Sequence, residues 1–219
     1  MNKISKLINS RIYISIELII IGIIIPSLIL INRLADDIIL ILWFITLYAG
    51  IIYFKNNKYH KIKNTLNFGA FSKDNLKVII YRWFVLSILI FLITYFFYFD
   101  KLFMIQKTNP YLLIIIFIFY PIFSALPQEF IFCTFFFNRY KNLIPQKYII
   151  ISSATLFMFA HILFINFIAP FLSIFGGLIF ASTYKKTNSL ALVSLEHALY
   201  GNTLFFVGLG YYFWGGSVN

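Results

Sequence analysis

The segment SALPQEFIFCTFFFNRY, residues 124–140, is a long run of apolar and aromatic side chains that contains a single acid, Glu129. Gln128 comes directly before this acid, Pro127 one residue earlier, and Arg139 lies near the end of the segment. An ionised carboxylate among apolar groups is costly unless it is paired and hydrogen-bonded. The role of Glu129 therefore depends on what surrounds this part of the chain.

The composition indicates that these surroundings are a lipid bilayer. Of the 219 residues, 61% are hydrophobic and 11% are charged, and the mean hydropathy is +0.88. A soluble domain is about half apolar and about a quarter charged. We therefore predict an all-α, polytopic transmembrane helical bundle, multi-pass in the cell (plasma) membrane and in contact with membrane lipid. The net charge of +11 is assigned to cytoplasmic loops, and no nucleic-acid partner is expected.

About seven apolar runs approach the roughly 20 residues that a helix needs to cross the hydrocarbon core. Fifteen Lys and Arg residues lie before the first run or in every second loop after it, and Arg82 and Arg139 are among them. The remaining loops hold only three. The positive-inside rule then places the N-terminus in the cytoplasm. The largest polar stretch, Lys55–Lys77, is predicted to be a basic cytoplasmic loop. The runs are 12–31, 38–54, 78–99, 112–137, 148–164, 167–183 and 190–213.

Three ionisable residues on three different spans are predicted to meet near the middle of the membrane. Counted from the nearest basic loop residue at 1.5 Å per helical residue, Glu129, His161 and His197 lie about 15, 21 and 17 Å from the cytoplasmic side. The hydrocarbon core is about 30 Å thick. Ionisable groups at this depth usually face the bundle interior and mark function.

These residue types can supply the parts of a peptide-bond hydrolase. Desolvation makes a carboxylate such as Glu129 a better base near neutral pH, and a neutral histidine can hold a water or accept its proton. A second histidine and the amide of Asn202 can donate hydrogen bonds to an oxyanion. Glu129, His161 and His197 could also bind a catalytic zinc, so a divalent metal is an open alternative. The single Cys133 rules out a Cys-based zinc site and an intramolecular disulfide.

Neighbouring residues have more than one interpretation. Glu196 adjoins His197 and either supports the site or meets a neighbouring helix. Glu17 is interpreted as structural. Pro121 and Pro127 are expected to distort the fourth span just before Glu129, which would open room for water or for an extended substrate.

Three motifs in this order resemble the CPBP family of CaaX proteases and bacteriocin-processing proteins, also called the Abi family of intramembrane proteases. That family carries EExxxR on one helix, FxxxH on the next, and a final histidine followed closely by Asn or Asp. Here QEFIFC at 128–133 falls at the first motif, FMFAH at 157–161 matches the second, and EHALYGN at 196–202 resembles the third. The resemblance implies a protease core in residues 111–219, preceded by membrane spans and a basic loop in residues 1–110.

The resemblance also implies roles for individual residues. The first glutamate and the FxxxH histidine of the family activate water, and the last histidine and its Asn or Asp form the oxyanion hole. By position, His161 is the water partner, His197 the oxyanion donor and Asn202 its companion. The chain departs from the pattern in three places: Gln128 stands at the first glutamate, Cys133 stands at the arginine, and Asn202 follows His197 by five residues where four is commoner. The break at Gly201 is expected to absorb that shift.

Two functions follow as the main alternatives. The first is an intramembrane endopeptidase that cleaves a peptide or membrane-protein substrate near the cytoplasmic half of the membrane, with water activated by Glu129 and His161. The second is a catalytically weakened or inactive relative that acts in bacteriocin self-immunity or binds peptides. A transporter or proton relay is disfavoured because the spans show no inverted repeat.

Overall fold

Antiparallel helices form a bundle, as predicted, in the computed structural model of the chain, which describes residues 3–56 and 61–214. Within these two ranges no strand occurs. Lys58 and His60 of the predicted basic loop lie outside the described residues. The helices are α1 (Lys3–Ile8), α2 (Arg11–Ile31), α3 (Ala35–Asn56), α4 (Ile62–Leu66), α5 (Lys73–Phe97), α6 (Met104–Thr108), α7 (Pro110–Arg139), α8 (Ile149–Phe159), α9 (Ile168–Thr187) and α10 (Leu190–Val207).

Six helices in the described part of the chain are long and apolar enough to cross a membrane: α2, α3, α5, α7, α9 and α10. The fifth predicted span is shorter than expected, because α8 has 11 residues and is followed by a 3₁₀ turn at Ile162–Phe164. At 1.5 Å per residue, α8 covers about 16 Å, roughly half of the hydrocarbon core. The chain is a multi-pass membrane protein, and the cytoplasmic position of its N-terminus stays a prediction.

The turn between α9 and α10 shows how side chains set the helix ends. Asn188 adopts a left-handed conformation (φ 47°) that ends α9, and the Ser189 hydroxyl accepts a hydrogen bond from the Leu192 N–H at 3.1 Å to begin α10. The same hydroxyl is 2.9 Å from the carbonyl oxygen of Leu66. The end of α4 is thereby fixed to the beginning of α10.

Helix α10 is the central helix of the bundle. Of its residues 56% are buried, against 6% of the most apolar stretch of α5, whose outer face is left for lipid. Helices α8 and α9 pack closely because Gly177 faces Ala154, where an added Cβ would lie 2.8 Å from the Ala154 Cα. Small residues permit such close packing in membranes, where apolar burial alone provides little driving force between helices.

Two arginines that the sequence analysis counted as loop charges lie inside helices and form ion pairs. Arg82 of α5 pairs with Glu196 of α10. Arg139, the last residue of α7, pairs with Glu17 of α2, with side chains only 3% exposed on both sides. The loop assignment of these two arginines is therefore wrong. The structural interpretation of Glu17 fits the contacts that it makes.

The helix α7 is irregular around Glu129. A π-helical turn spans Pro121–Ala125, a second spans Phe130–Phe135, and a short α-helical segment, Leu126–Glu129, lies between them. Proline lacks an N–H, so Pro127 leaves the carbonyl of Phe123 without its usual helical partner. The indole N–H of Trp43 donates to this carbonyl at 3.1 Å. The expected distortion before Glu129 is thus present, and such bulges are frequent at functional sites.

Candidate active site

Glu129 and His197 form the centre of the site. The Glu129 Oε1 is 2.7 Å from Nδ1 of His197, and the two residues are 1% and 5% exposed. The His197 ring stacks on Phe180 with ring centroids 4.5 Å apart. The carboxylate and the stacked ring together fix the orientation of the imidazole. Two of the three predicted mid-membrane residues are thus in direct contact.

His161 lies just beyond the last residue of α8 and joins the site through an aromatic ring. Its Nδ1 is 2.7 Å from the carbonyl oxygen of Phe157, the residue that begins the FxxxH motif. The Phe157 ring packs on both histidines, with centroid distances of 4.6 Å to His161 and 5.6 Å to His197. The FxxxH spacing therefore places His161 about one helical turn after Phe157. The Phe157 ring contacts both histidines.

A mainly apolar cavity of about 1100 Å³ lies beside these residues. Residues from α2, α3 and α5 to α10 line it. Its polar lining includes Tyr120, Ser124, Gln128, His161, Ser173 and His197. The cavity thus combines polar groups, including the two histidines, with mostly apolar walls that suit an apolar substrate.

The cavity extends toward one end of the bundle. Its lining reaches the exposed residues Asp36, Thr108 and Trp214, which lie where α3 begins, where α6 ends, and after α10. Because the long helices alternate in direction, this end is opposite the basic residues of 61–77. Under the predicted orientation the cavity therefore faces away from the cytoplasm, whereas cleavage was expected near the cytoplasmic half of the membrane.

Gln128 and Glu129 face different surroundings. Gln128 lines the cavity, and its amide nitrogen donates to the Ser124 hydroxyl at 2.8 Å, while its carbonyl oxygen is buried with no hydrogen-bond partner among the described residues. Glu129 is not among the cavity-lining residues. The position that holds the first family glutamate is thus the one that faces the cavity, and here it carries an amide.

Cys133, at the position of the family arginine, and Glu196, next to His197, have different partners. The Cys133 thiol donates to Oε2 of Glu129 at 3.0 Å and is 1% exposed. Glu196 is 0% exposed and pairs with Arg82, which also donates to the Thr183 hydroxyl at 2.8 Å. Of the two interpretations of Glu196, the structure favours contact with neighbouring helices, because the next residue along a helix is about 100° away from His197.

Asn202 is not brought to the site. Helix α10 continues through Gly201 without a break, so the expected adjustment there does not occur. Five residues along a helix correspond to about 140° of rotation, which turns Asn202 away from His197. Gly201 lines the cavity and Asn202 does not. The residue one turn after His197 is therefore the glycine.

Tyr120 is a site residue that the sequence analysis missed. Its hydroxyl is 2.9 Å from Nε2 of His197, and it lines the cavity. A Cβ on Gly201 would lie 2.2 Å from the Tyr120 ring, so the absence of a side chain at Gly201 is what admits the phenol. A glycine four residues after His197, where the family more often has Asn or Asp, was the signal that could have pointed to an incoming side chain.

Glu129, His161 and His197, the predicted alternative zinc ligands, are not arranged to bind a metal ion together. Among residues 3–56 and 61–214, no group of three or more His, Cys, Asp or Glu side chains is placed to hold a metal ion. Both nitrogens of His197 are already hydrogen-bonded, Nδ1 to Glu129 and Nε2 to Tyr120. Coordination by His197 would break one of these contacts.

Comparison with known proteins gives one match. Residues 110–203 match the family model described as type II CAAX prenyl endopeptidase Rce1-like. The matched region is a little under half of the chain and runs from the first residue of α7 into α10, so it contains Glu129, His161 and His197. No curated protein and no solved structure matches the chain significantly. The chain is thus a multi-pass membrane protein whose residues 110–203 match the Rce1-like family of type II CAAX prenyl endopeptidases, as the three motifs predict.

Proposed function

We propose that the chain is an intramembrane endopeptidase that hydrolyses a peptide bond in the apolar cavity, with His161 accepting the proton of the attacking water. The observation that carries this proposal is that His161, Gln128 and His197 line the same cavity. The family match supports the reaction class. The catalytic steps are proposed from the contacts that His161, His197 and Glu129 make in this chain.

The contact between His161 and Phe157 determines which nitrogen can act. A carbonyl oxygen only accepts hydrogen bonds, so Nδ1 of His161 donates to the Phe157 oxygen at 2.7 Å. In the neutral ring the lone pair is then on Nε2. This nitrogen can take a proton from water.

In the hydrolysis that follows, His161 is the only residue that accepts and returns a proton. The water oxygen bonds to the carbonyl carbon of the substrate as Nε2 of His161 takes one water proton, which leaves a tetrahedral oxyanion. The C–N bond then breaks, and His161 returns the proton to the leaving amine. His197 is hydrogen-bonded to Glu129 at Nδ1 and to Tyr120 at Nε2, so it can act on the oxyanion only through Tyr120. Glu129 acts as a positioning residue, since Oε1 contacts His197 and Oε2 contacts Cys133.

The position of the cavity indicates where the substrate enters. The cavity lining reaches exposed residues at the end of the bundle opposite the basic residues 61–77. Its mostly apolar walls favour an apolar peptide or the end of a transmembrane segment. With the N-terminus in the cytoplasm, we propose that the substrate arrives from the non-cytoplasmic side.

A second candidate function is peptide binding without cleavage, as in bacteriocin self-immunity. One observation favours it: Gln128 occupies the cavity-facing position of the first family glutamate, and an amide cannot act as a base. The two candidate functions differ in one observable result: only a peptidase produces new peptide termini.

Quantitative terminal proteomics of membranes and medium separates these candidates. A deletion strain is complemented with wild type, with His161→Gln, or with the control Tyr148→Phe at an exposed residue, all at matched expression. We expect new N-termini with wild type and the control, and their loss with His161→Gln. Identical termini in all strains, together with rescue of any phenotype by His161→Gln, would reject the protease and favour the binding protein.

A further inference from the structure

The contact between Tyr120 and Gly201 shows that a side chain from α7 occupies the space one turn after His197. The Tyr120 ring and hydroxyl atoms lie 2.2–2.4 Å from the position that a Cβ on Gly201 would take. Any residue other than glycine would therefore displace the phenol. The hydroxyl lies 2.9 Å from His197 Nε2 and lines the cavity. A polar group thus stands where the family more often has the Asn or Asp side chain.

The hydrogen bond between Glu129 and His197 decides how Tyr120 can donate. Glu129 is 1% exposed, and low-dielectric surroundings favour a pair without net charge. In such a pair, the proton between Oε1 and Nδ1 can reside on either atom, and His197 Nε2 carries a proton in both cases. Nε2 then donates to the Tyr120 oxygen. A phenol has a single proton, which is left free to point into the cavity.

We propose that the Tyr120 hydroxyl is the hydrogen-bond donor to the oxyanion, in place of the amide that Asn202 was expected to provide. His197 donates to Tyr120 and polarises its O–H, and Glu129 holds His197 in place. This inference rests on the proposed peptidase function. It concerns a different group from His161, so the two can fail separately.

The packing of Tyr120 makes a clean test feasible. Its ring also contacts Phe205, with centroids 5.5 Å apart. Tyr120→Phe keeps these ring contacts and the fit against Gly201 and removes only the hydroxyl. A structural role of the ring would therefore leave this variant close to wild type.

The experiment compares variants purified in lipid nanodiscs on a synthetic peptide that spans a cleavage site identified by terminal proteomics. Removing one oxyanion donor typically costs 10²–10³ in kcat, so we expect Tyr120→Phe to lower kcat by about 100-fold with little change in KM. A peptide aldehyde of the same sequence, whose hydrate resembles the tetrahedral intermediate, should lose affinity to a similar degree. The affinity for the intact peptide should not change.

A swap tests whether the phenol substitutes for the family amide. Tyr120→Ala empties the space beside Gly201, and Tyr120→Ala with Gly201→Asn refills it with an amide four residues after His197. We expect the double variant to be at least about tenfold faster than Tyr120→Ala, since an amide can restore the oxyanion hydrogen bond. A double variant no faster than Tyr120→Ala contradicts the substitution.

The outcomes separate the two proposals. If the wild type is active and the kcat of Tyr120→Phe is within about twofold of it, at unchanged thermal stability, the role of Tyr120 is overturned. The peptidase proposal is then left standing. Wild type without turnover overturns the peptidase proposal, and the role of Tyr120 with it.

Discussion

Gln128 and Glu129 are neighbours in the chain, yet Gln128 lines the cavity while the Glu129 carboxylate lies 2.7 Å from His197 Nδ1 and outside the cavity lining. The two residues therefore cannot exchange roles without a rearrangement of α7. Because the amide of Gln128 cannot act as a base, the proton acceptor that contacts the water is His161.

Gln128→Glu should raise the rate of peptide hydrolysis. The new carboxylate would line the same cavity as His161 and could provide a second proton acceptor, and general bases contribute about 10²–10⁴-fold. We expect at least a tenfold increase in kcat, measured on the same synthetic peptide in nanodiscs. Gln128→Met is the control because it keeps the length and removes the amide. An unchanged or lower rate for Gln128→Glu would show that this position does not contact the water.

Glu17→Gln should destabilise the bundle strongly. Arg139 Nε and Nη2 lie 2.7 and 2.9 Å from the two Glu17 oxygens, and both side chains are 3% exposed. Removal of one partner leaves a buried charge uncompensated, which costs about 3 kcal/mol or more. Titration with denaturing detergent in mixed micelles measures the free energy of unfolding.

The matched control for this ion pair is Asp100→Asn. Asp100 is 3.2 Å from Lys101 but its side chain is 71% exposed. We expect a change in unfolding free energy within about 0.5 kcal/mol, as for most surface substitutions. Equal effects of Glu17→Gln and Asp100→Asn would contradict the buried ion pair.

Gly177→Ala should separate α8 from α9, whereas Gly50→Ala should not disturb the fold. A Cβ at Gly177 would lie 2.8 Å from the Ala154 Cα, whereas a Cβ at Gly50 meets nothing within 4 Å. Overpacking of this kind costs about 1–3 kcal/mol, and an alanine in an open helix position stabilises by up to about 1 kcal/mol. The same detergent titration compares them, and a Gly177→Ala variant as stable as Gly50→Ala would refute the close contact.

The sequence identified most of the fold because bilayer thickness sets the length of apolar runs. The ends of the predicted runs agree within five residues with those of α2, α3, α5, α7 and α9. The short α8 could not be distinguished, since the turn at Ile162–Phe164 is as apolar as the helix before it. Arg82 and Arg139 were misassigned because their acidic partners are 114 and 122 residues away in the chain.

Part of the candidate site was also predictable. The contact of Glu129 with His197 follows from their similar depth in the bilayer, and the FxxxH spacing explains how Phe157 and His161 pack. Which way Gln128 and Glu129 face was not predictable, because it depends on the π-helical turns on both sides of them. Tyr120 was missed since its contact with His197 joins residues 77 positions apart.

The direction of the cavity depends on the predicted orientation, which single cysteines can test. Lys61 and Lys107 are exposed at opposite ends of the bundle, and the native Cys133 is buried. We expect a membrane-impermeant maleimide to label Lys107→Cys in intact cells and Lys61→Cys only after permeabilisation. The reverse pattern would place the cavity entrance on the cytoplasmic side.

The most direct test of the central claim follows the oxygen of the attacking water. Purified wild type in nanodiscs is incubated with the synthetic peptide in H₂¹⁸O, and both products are analysed by mass spectrometry beside His161→Gln. We predict one ¹⁸O in the new C-terminal carboxylate with wild type, and about a 100-fold slower reaction with His161→Gln. Intact peptide after incubation with wild type, or equal rates for the two proteins, would contradict hydrolysis in this cavity by water activated at His161.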